Sequence, residues 1–240
     1  MDVETMDARA SYRWAAATGL ASVACAAGAE VFERGAVRAT ETPARIAAYF
    51  ADNHQALRWQ ALLFMVSSGF ALWFYPTLTH HLARAEGGRA RLASTALVAA
   101  ITSIGLTFVA LTLQIGLATA SGYAGQPVLL ATANALFMVA CVPNAVMLTA
   151  VTVVSLRAHA FPAWMGWLSA MTALTQVVPV FSVLADTGPL ASGGWASAWL
   201  PYPLYTVWLV CAAVLLIRAP QTVHHHQVMG ASRSALSWAG

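Results

Sequence analysis

The 65 residues between Arg91 and Arg157 contain no Asp, Glu, Lys or Arg. As a single helix they would run about 98 Å at 1.5 Å per residue, against a bilayer hydrocarbon core of about 30 Å. Such a stretch has to cross, turn and cross back. The turn is supplied by Ser121-Gly122-Tyr123-Ala124-Gly125-Gln126-Pro127. Further charge-free stretches lie between Arg58 and Arg84, between Arg157 and Asp186, and between Asp186 and Arg218. Only 9% of the 240 residues are charged and 59% are hydrophobic. A soluble domain carries roughly 25% charged residues, so a water-facing surface could not be built from this chain. The pattern predicts an all-α, polytopic membrane bundle and leaves no room for a soluble domain or a nucleic-acid-binding stretch.

Six spans are expected, near residues 14–32, 57–78, 93–118, 128–156, 163–185 and 198–217, with a kink at Pro143 in the fourth and Pro179 inside the fifth. Residues 1–13 form a polar head, 14–217 the transmembrane domain and 218–240 a polar tail. The first span is the shortest in apolar character. Its small residues recur at four-residue spacing (Ala17, Ala21, Cys25, or Ala24, Gly28), which suits close helix packing. In the first outer loop, Thr42-Pro43 opens a short helix with Ile46, Tyr49 and Phe50 on one face, as in an interfacial helix. Arginine bias sets orientation. With both termini inside, the cytoplasmic side holds Arg9, Arg13, Arg84, Arg89, Arg91, Arg157, Arg218 and Arg233. Arg34, Arg38, Arg45 and Arg58 stay outside, near the first loop. The expected location is the cytoplasmic membrane. Cys25, Cys141 and Cys211 all fall within spans, so no disulfide framework is expected.

This topology puts Gln60, Gln114, Asn134 and Gln176 in the outer half of the bilayer, with Asn144 deeper. Buried amides need partners. They are either interhelical glue or the polar lining of one shared pocket. Glu30 and Glu33 share a helix face at the outer end of the first span, and Asp186 ends the fifth. Each acid is either a solvated helix end or, if desolvated, a proton donor. Aromatic residues collect on the same side, and Tyr202, Tyr205 and Trp208 continue down the last span. They read as an interfacial belt or as a lining that could stabilise a cation. His80-His81 and His224-His225-His226 have no partner ligands in sequence, so no metal site and no cofactor is expected.

Thr42-Pro43 through Ala48-Tyr49-Phe50-Ala51-Asp52-Asn53, together with Phe161-Pro162-Ala163-Trp164-Met165-Gly166-Trp167-Leu168, resembles a broad class of uncharacterised bacterial six-helix membrane proteins. The likeness covers most of residues 14–217 and marks a fold, not a reaction. In size, helix number and acid-plus-aromatic pattern the chain is also similar to membrane-bound terpene cyclases of indole-sesquiterpenoid pathways. That second resemblance is architectural. It implies metal-independent, acid-initiated cyclisation, with Glu30 or Asp186 as proton donor. Tyr202, Tyr205 and Trp208 would stabilise the cation, and Gln60, Gln114, Asn134 and Gln176 would orient the head group. The partner would be a lipophilic small molecule or lipid. The alternatives are a non-catalytic membrane subunit, as a homo- or hetero-oligomer, and a small transporter.

Overall fold

Backbone in hydrocarbon has to satisfy its hydrogen bonds within its own segment, so long uncharged runs become long helices. The computed structural model describes residues 3–32, 37, 41–119, 126–185, 188, 190 and 195–219. All its described elements are helical: α1 (Val3–Glu30), α2 (Pro43–Ala85), α3 (Arg91–Thr119), α4 (Gln126–Ala158), α5 (Ala163–Val177), a 3-10 helix (Val178–Leu184), α6 (Trp195–Trp199) and α7 (Pro201–Arg218). Five are long and apolar enough to cross a membrane: α2, α3, α4, α5 with its 3-10 extension, and α7. The chain is therefore a multi-pass membrane protein by length and composition. Its 28-residue α1 is not among those five, but it packs along both α2 and α7.

The helices form a closed ring. Each of α1 to α4 packs on the next, α5 packs on α7, and α7 closes on α1. Two glycines set the closest approaches. A Cβ on Gly19 would lie 2.7 Å from Phe74 Cδ2 and 3.1 Å from Ala213 Cβ, so α1 meets α2 and α7 there. A Cβ on Gly166 would lie 2.7 Å from Leu156 Cδ2, where α5 meets α4. Ser67 Oγ donates to the Ser22 carbonyl at 2.8 Å, tying α2 to α1. The buried face of α1 is Ala16, Gly19, Ser22 and Ala29. The expected stripe is thus rotated: Ala24 is exposed, and Ala17, Ala21, Cys25 and Gly28 are partly buried. All three cysteines are free.

Residues 44–52 do not make a separate interfacial helix. They are the first turns of α2, which runs 43 residues without a break. At 1.5 Å per residue that is about 64 Å, twice the hydrocarbon thickness. Its first turns bury Ile46 and Phe50 against Leu117 of α3 and Leu130 of α4. The apolar face read at these positions is real, but protein covers it. Pro143 and Pro76 sit inside continuous helices. After Val177 the fifth span tightens into the 3-10 helix that carries Pro179.

At the arginine-rich end, α2 turns into α3 through Gly87 and Gly88, both at positive φ. The Glu86 carboxylate accepts from the backbone N–H groups of Leu92 (3.1 Å) and Ala93 (2.9 Å). It thereby satisfies donors that the first turn of α3 would otherwise leave orphaned.

Candidate functional site

Packing differs between the two halves of the bundle. Toward the arginine-rich end one apolar core joins Phe74, Leu78 and Leu82 of α2, Ala96 and Ala100 of α3, Leu148 and Val151 of α4, and Trp208 and Leu216 of α7. The far end is capped by the small cluster of Ile46, Phe50, Leu117 and Leu130. Between these two clusters the packing is uneven: Ser103, Ala110 and Leu111 of α3 and Ala133 and Ala140 of α4 are buried, while several of their inward neighbours are only partly covered.

On α3 the exposed stripe runs through Ser94, Val98, Thr102, Gly105, Val109 and Thr112. By helical periodicity the opposite face carries Ala96, Ala100, Thr107 and Gln114. The first two are buried; Thr107 and Gln114 are only partly so. On α4 the exposed stripe is Val128, Thr132, Ala135, Val139, Val142 and Val146, and the opposite face carries Phe137, Asn144, Leu148 and Val151. Phe137 and Asn144 are half-buried, whereas Leu148 and Val151 are fully covered. Interiors close-pack, so these partly covered side chains mark a looser zone of the bundle. Phe64 of α2, Cys141 of α4 and Tyr205 of α7 are half-buried in the same middle zone. Asn134 and Asn144 are ten residues apart, so this zone extends about 15 Å along α4.

Its floor is a hydrogen-bonded layer. The Tyr75 and Tyr205 hydroxyls pair between α2 and α7. Tyr205 stacks on Trp208, with ring centroids 5.7 Å apart. Trp208 is fully buried and donates its indole N–H to Ser169 Oγ at 2.8 Å; Ser169 in turn donates to the Met165 carbonyl at 2.8 Å. Removing one hydroxyl of the tyrosine pair leaves the other without its partner. Tyr75→Phe and Tyr205→Phe should each cost about 1–2 kcal/mol, and the double variant clearly less than their sum. Unfolding titrations in mixed micelles measure this; strictly additive losses would show that the two hydroxyls are not coupled.

The residues singled out in the sequence are distributed along this zone and around it. Gln60 is buried on α2, fifteen residues from Tyr75 and therefore about 22 Å from the Tyr75–Tyr205 pair in depth. Gln176 is buried and donates to the Pro201 carbonyl at 3.3 Å, which joins α5 to α7. It lies deeper than Asn134, because Ser182, six residues after it, meets Met138 of α4. The four amides thus do not share one depth, and Gln60 and Gln176 are engaged in packing. Gln114 and Asn134 are half-buried, and with Asn144 their side-chain amides take no hydrogen bond from any described residue. Glu30 is exposed at the end of α1, where it has a polar partner. Tyr202 is 50% exposed on the outer surface of α7, and Trp208 is core. Asp186 lies outside the described residues, as do Glu33, Tyr123 and the histidine run of the tail. Tyr75, Thr107 and Phe137 are not singled out by the sequence, and Cys141 stands out there only as a thiol within a span. Nothing in their local pattern separates an inward residue facing a hollow from one facing a neighbouring helix. Among the described residues no cluster of three His, Cys, Asp or Glu side chains could hold a metal ion. No family model matches the chain, and no curated protein or solved structure is similar to it.

Proposed function

We propose that a hollow lies between the helices in this middle zone and that it binds an elongated lipophilic molecule with hydrogen-bonding groups. The observation that supports this is that the side-chain amides of Gln114, Asn134 and Asn144 take no hydrogen bond from any described residue. An amide within a membrane needs a partner, and three along one hollow offer donors and acceptors to a guest. The aromatic rings of Phe64, Phe137 and Tyr205 suit the apolar remainder of such a guest. The spread of the amides over about 15 Å favours a chain-like ligand over a compact one. On this reading α1 is a sixth crossing helix, because Gly19 and Ser22 dock beside Phe74 and Ser67 within the depth of α2.

Binding is favoured over acid-initiated cyclisation. A carboxyl that protonates an alkene has to be dry, and Glu30 is exposed. Organic extraction of the purified chain, followed by mass spectrometry, should recover a lipophilic compound. The recovery should fall at least several-fold in a Gln114→Leu/Asn144→Leu variant. Equal recovery from both proteins would reject the hollow as the binding site. Feeding prenylated substrates to the same membranes tests the cyclase directly: a mass-neutral product that vanishes in Glu30→Gln would restore it.

A second reading has its own observation. The exposed stripes of α3 and α4 consist of Ser, Thr, Gly, Ala and Val, with Ile101 the one larger side chain. Those of α2 and α5 carry Trp59, Trp73, Trp164, Trp167 and Leu174. Small residues let helices approach closely in lipid. Val98, Ala99, Val142 and Pro143 also line a groove of about 510 Å³ on this face. A subunit role would show as a stoichiometric second chain in the same purification.

A further inference from the structure

A separate cleft of about 270 Å³ opens at the arginine-rich end, lined by His81, Ala160, Phe161, Pro162, Leu215, Arg218 and Ala219. It lies where the end of α2, the turn from α4 to α5, and the last turn of α7 meet. One wall is apolar and the rim is cationic. His81 Nε2 hydrogen-bonds the Ala160 carbonyl at 2.8 Å; a carbonyl only accepts, so this nitrogen carries the proton. The His81 ring also lies against Phe161, with centroids 4.9 Å apart. These two contacts fix the cleft's back wall. Arg218 stands at its mouth, and Arg84 follows His81 by three residues, on the same face of α2.

Among the described residues no carboxylate pairs with Arg84 or Arg218. Glu86, the nearest acid in sequence, spends both oxygens on the start of α3. The sequence after Arg218 contains no Asp or Glu. The N-terminus of α5, beginning just after Pro162, has no side-chain cap, and its first-turn N–H groups favour an anion. An apolar wall beneath a cationic rim, at the end of a membrane span, matches the start of an acyl chain beneath a phosphate.

We infer that this cleft binds the phosphate of an anionic phospholipid of the inner leaflet, through Arg218 and the start of α5, with the lipid's first methylenes against Phe161 and Leu215. The chemistry recognised is a phosphate ester, which a soluble phosphate compound also carries, so the test separates the two.

The full-length protein, purified in neutral detergent, is titrated with dioleoyl phosphatidylglycerol or dioleoyl phosphatidylcholine, and one-to-one adducts are counted by native mass spectrometry. Phosphatidylglycerol should be retained in preference to phosphatidylcholine. Arg218→Gln should weaken that retention about tenfold, the scale of one charge-assisted hydrogen bond. Arg157→Gln, which removes an arginine from the same end but not from the cleft, should leave it unchanged. Arg218 is exposed, so its replacement does not threaten folding. Equal retention of the two lipids, or equal behaviour of the two variants, overturns the proposal. Displacement of phosphatidylglycerol by millimolar inorganic phosphate would also overturn it and assign the cleft to a soluble phosphate compound.

Discussion

Trp208→Ala should lower the unfolding free energy by about 3 kcal/mol or more. This is one of the two largest effects expected of any single change. Trp208 is the largest of the fully buried side chains, and it sits where α7 meets α2 and α5. In lipid the loss does not come from exposing apolar surface to water, because the surroundings are apolar in either state. It comes from the void left in a packed interior and from contacts that no neighbour replaces. The Ser169 hydroxyl keeps its bond to the Met165 carbonyl, so no orphaned polar group adds to the cost. Trp208→Phe separates the contributions: most of the volume stays, the indole donor goes, and the loss should drop to about 1 kcal/mol. Mixed-micelle unfolding reads both variants. A loss in Trp208→Ala no larger than in Trp208→Phe would mean that the void collapses and that the core is not rigid.

The second large effect concerns two glycines of α1 whose substitutions should go in opposite directions. At Gly19 a methyl group would lie 2.7 Å from the ring of Phe74. Phe74 is itself fully buried, and Ala213 closes the other side at 3.1 Å. Neither can yield without moving a helix. Gly19→Ala should therefore cost about 1–3 kcal/mol, and Gly19→Leu more, by prising α1 from α2 and α7. At Gly28 the nearest atom to an added methyl is Leu63 Cδ1, at 3.6 Å, an ordinary contact. Gly28→Ala should be neutral or stabilising, because alanine holds a helix better than glycine by about 1 kcal/mol. The same unfolding assay compares them. If Gly19→Ala matched Gly28→Ala, the close packing of α1 against Phe74 would be refuted, and with it the argument that α1 belongs to the membrane bundle.

Recognising the site was harder than recognising the fold. Gln114 and Asn134 stood out because a lone amide in an uncharged run is costly wherever it points. Asn144 stood out for the same reason, and it lies on the inward face of α4. Gln60 and Gln176 carried the same sequence signal, yet they are packed between helices. The signal reports the expense of the group, not what meets that expense. Tyr205 and Trp208 are three residues apart on one helix and looked equivalent, but one is half-buried in the middle zone and the other is sealed in the core. That difference depends on the neighbouring helices. For Glu30, a position within an apolar run suggested burial, but the end of α1 leaves it exposed.

The sequence alone determined the helical class, the membrane and the approximate span limits, since these follow from uncharged length, and length along a helix is a local quantity. It also located the turns, where Gly, Pro and charge interrupt the runs. Tertiary structure alone decided that α2 continues through the expected interfacial helix, because burial of Ile46 and Phe50 needs Leu117 and Leu130 from other helices. It also decided which amides find partners and where the bundle is most tightly filled. Those depend on rotations of six helices about their own axes, and in lipid an apolar face has no water to avoid, so hydrophobic pattern does not fix the rotation.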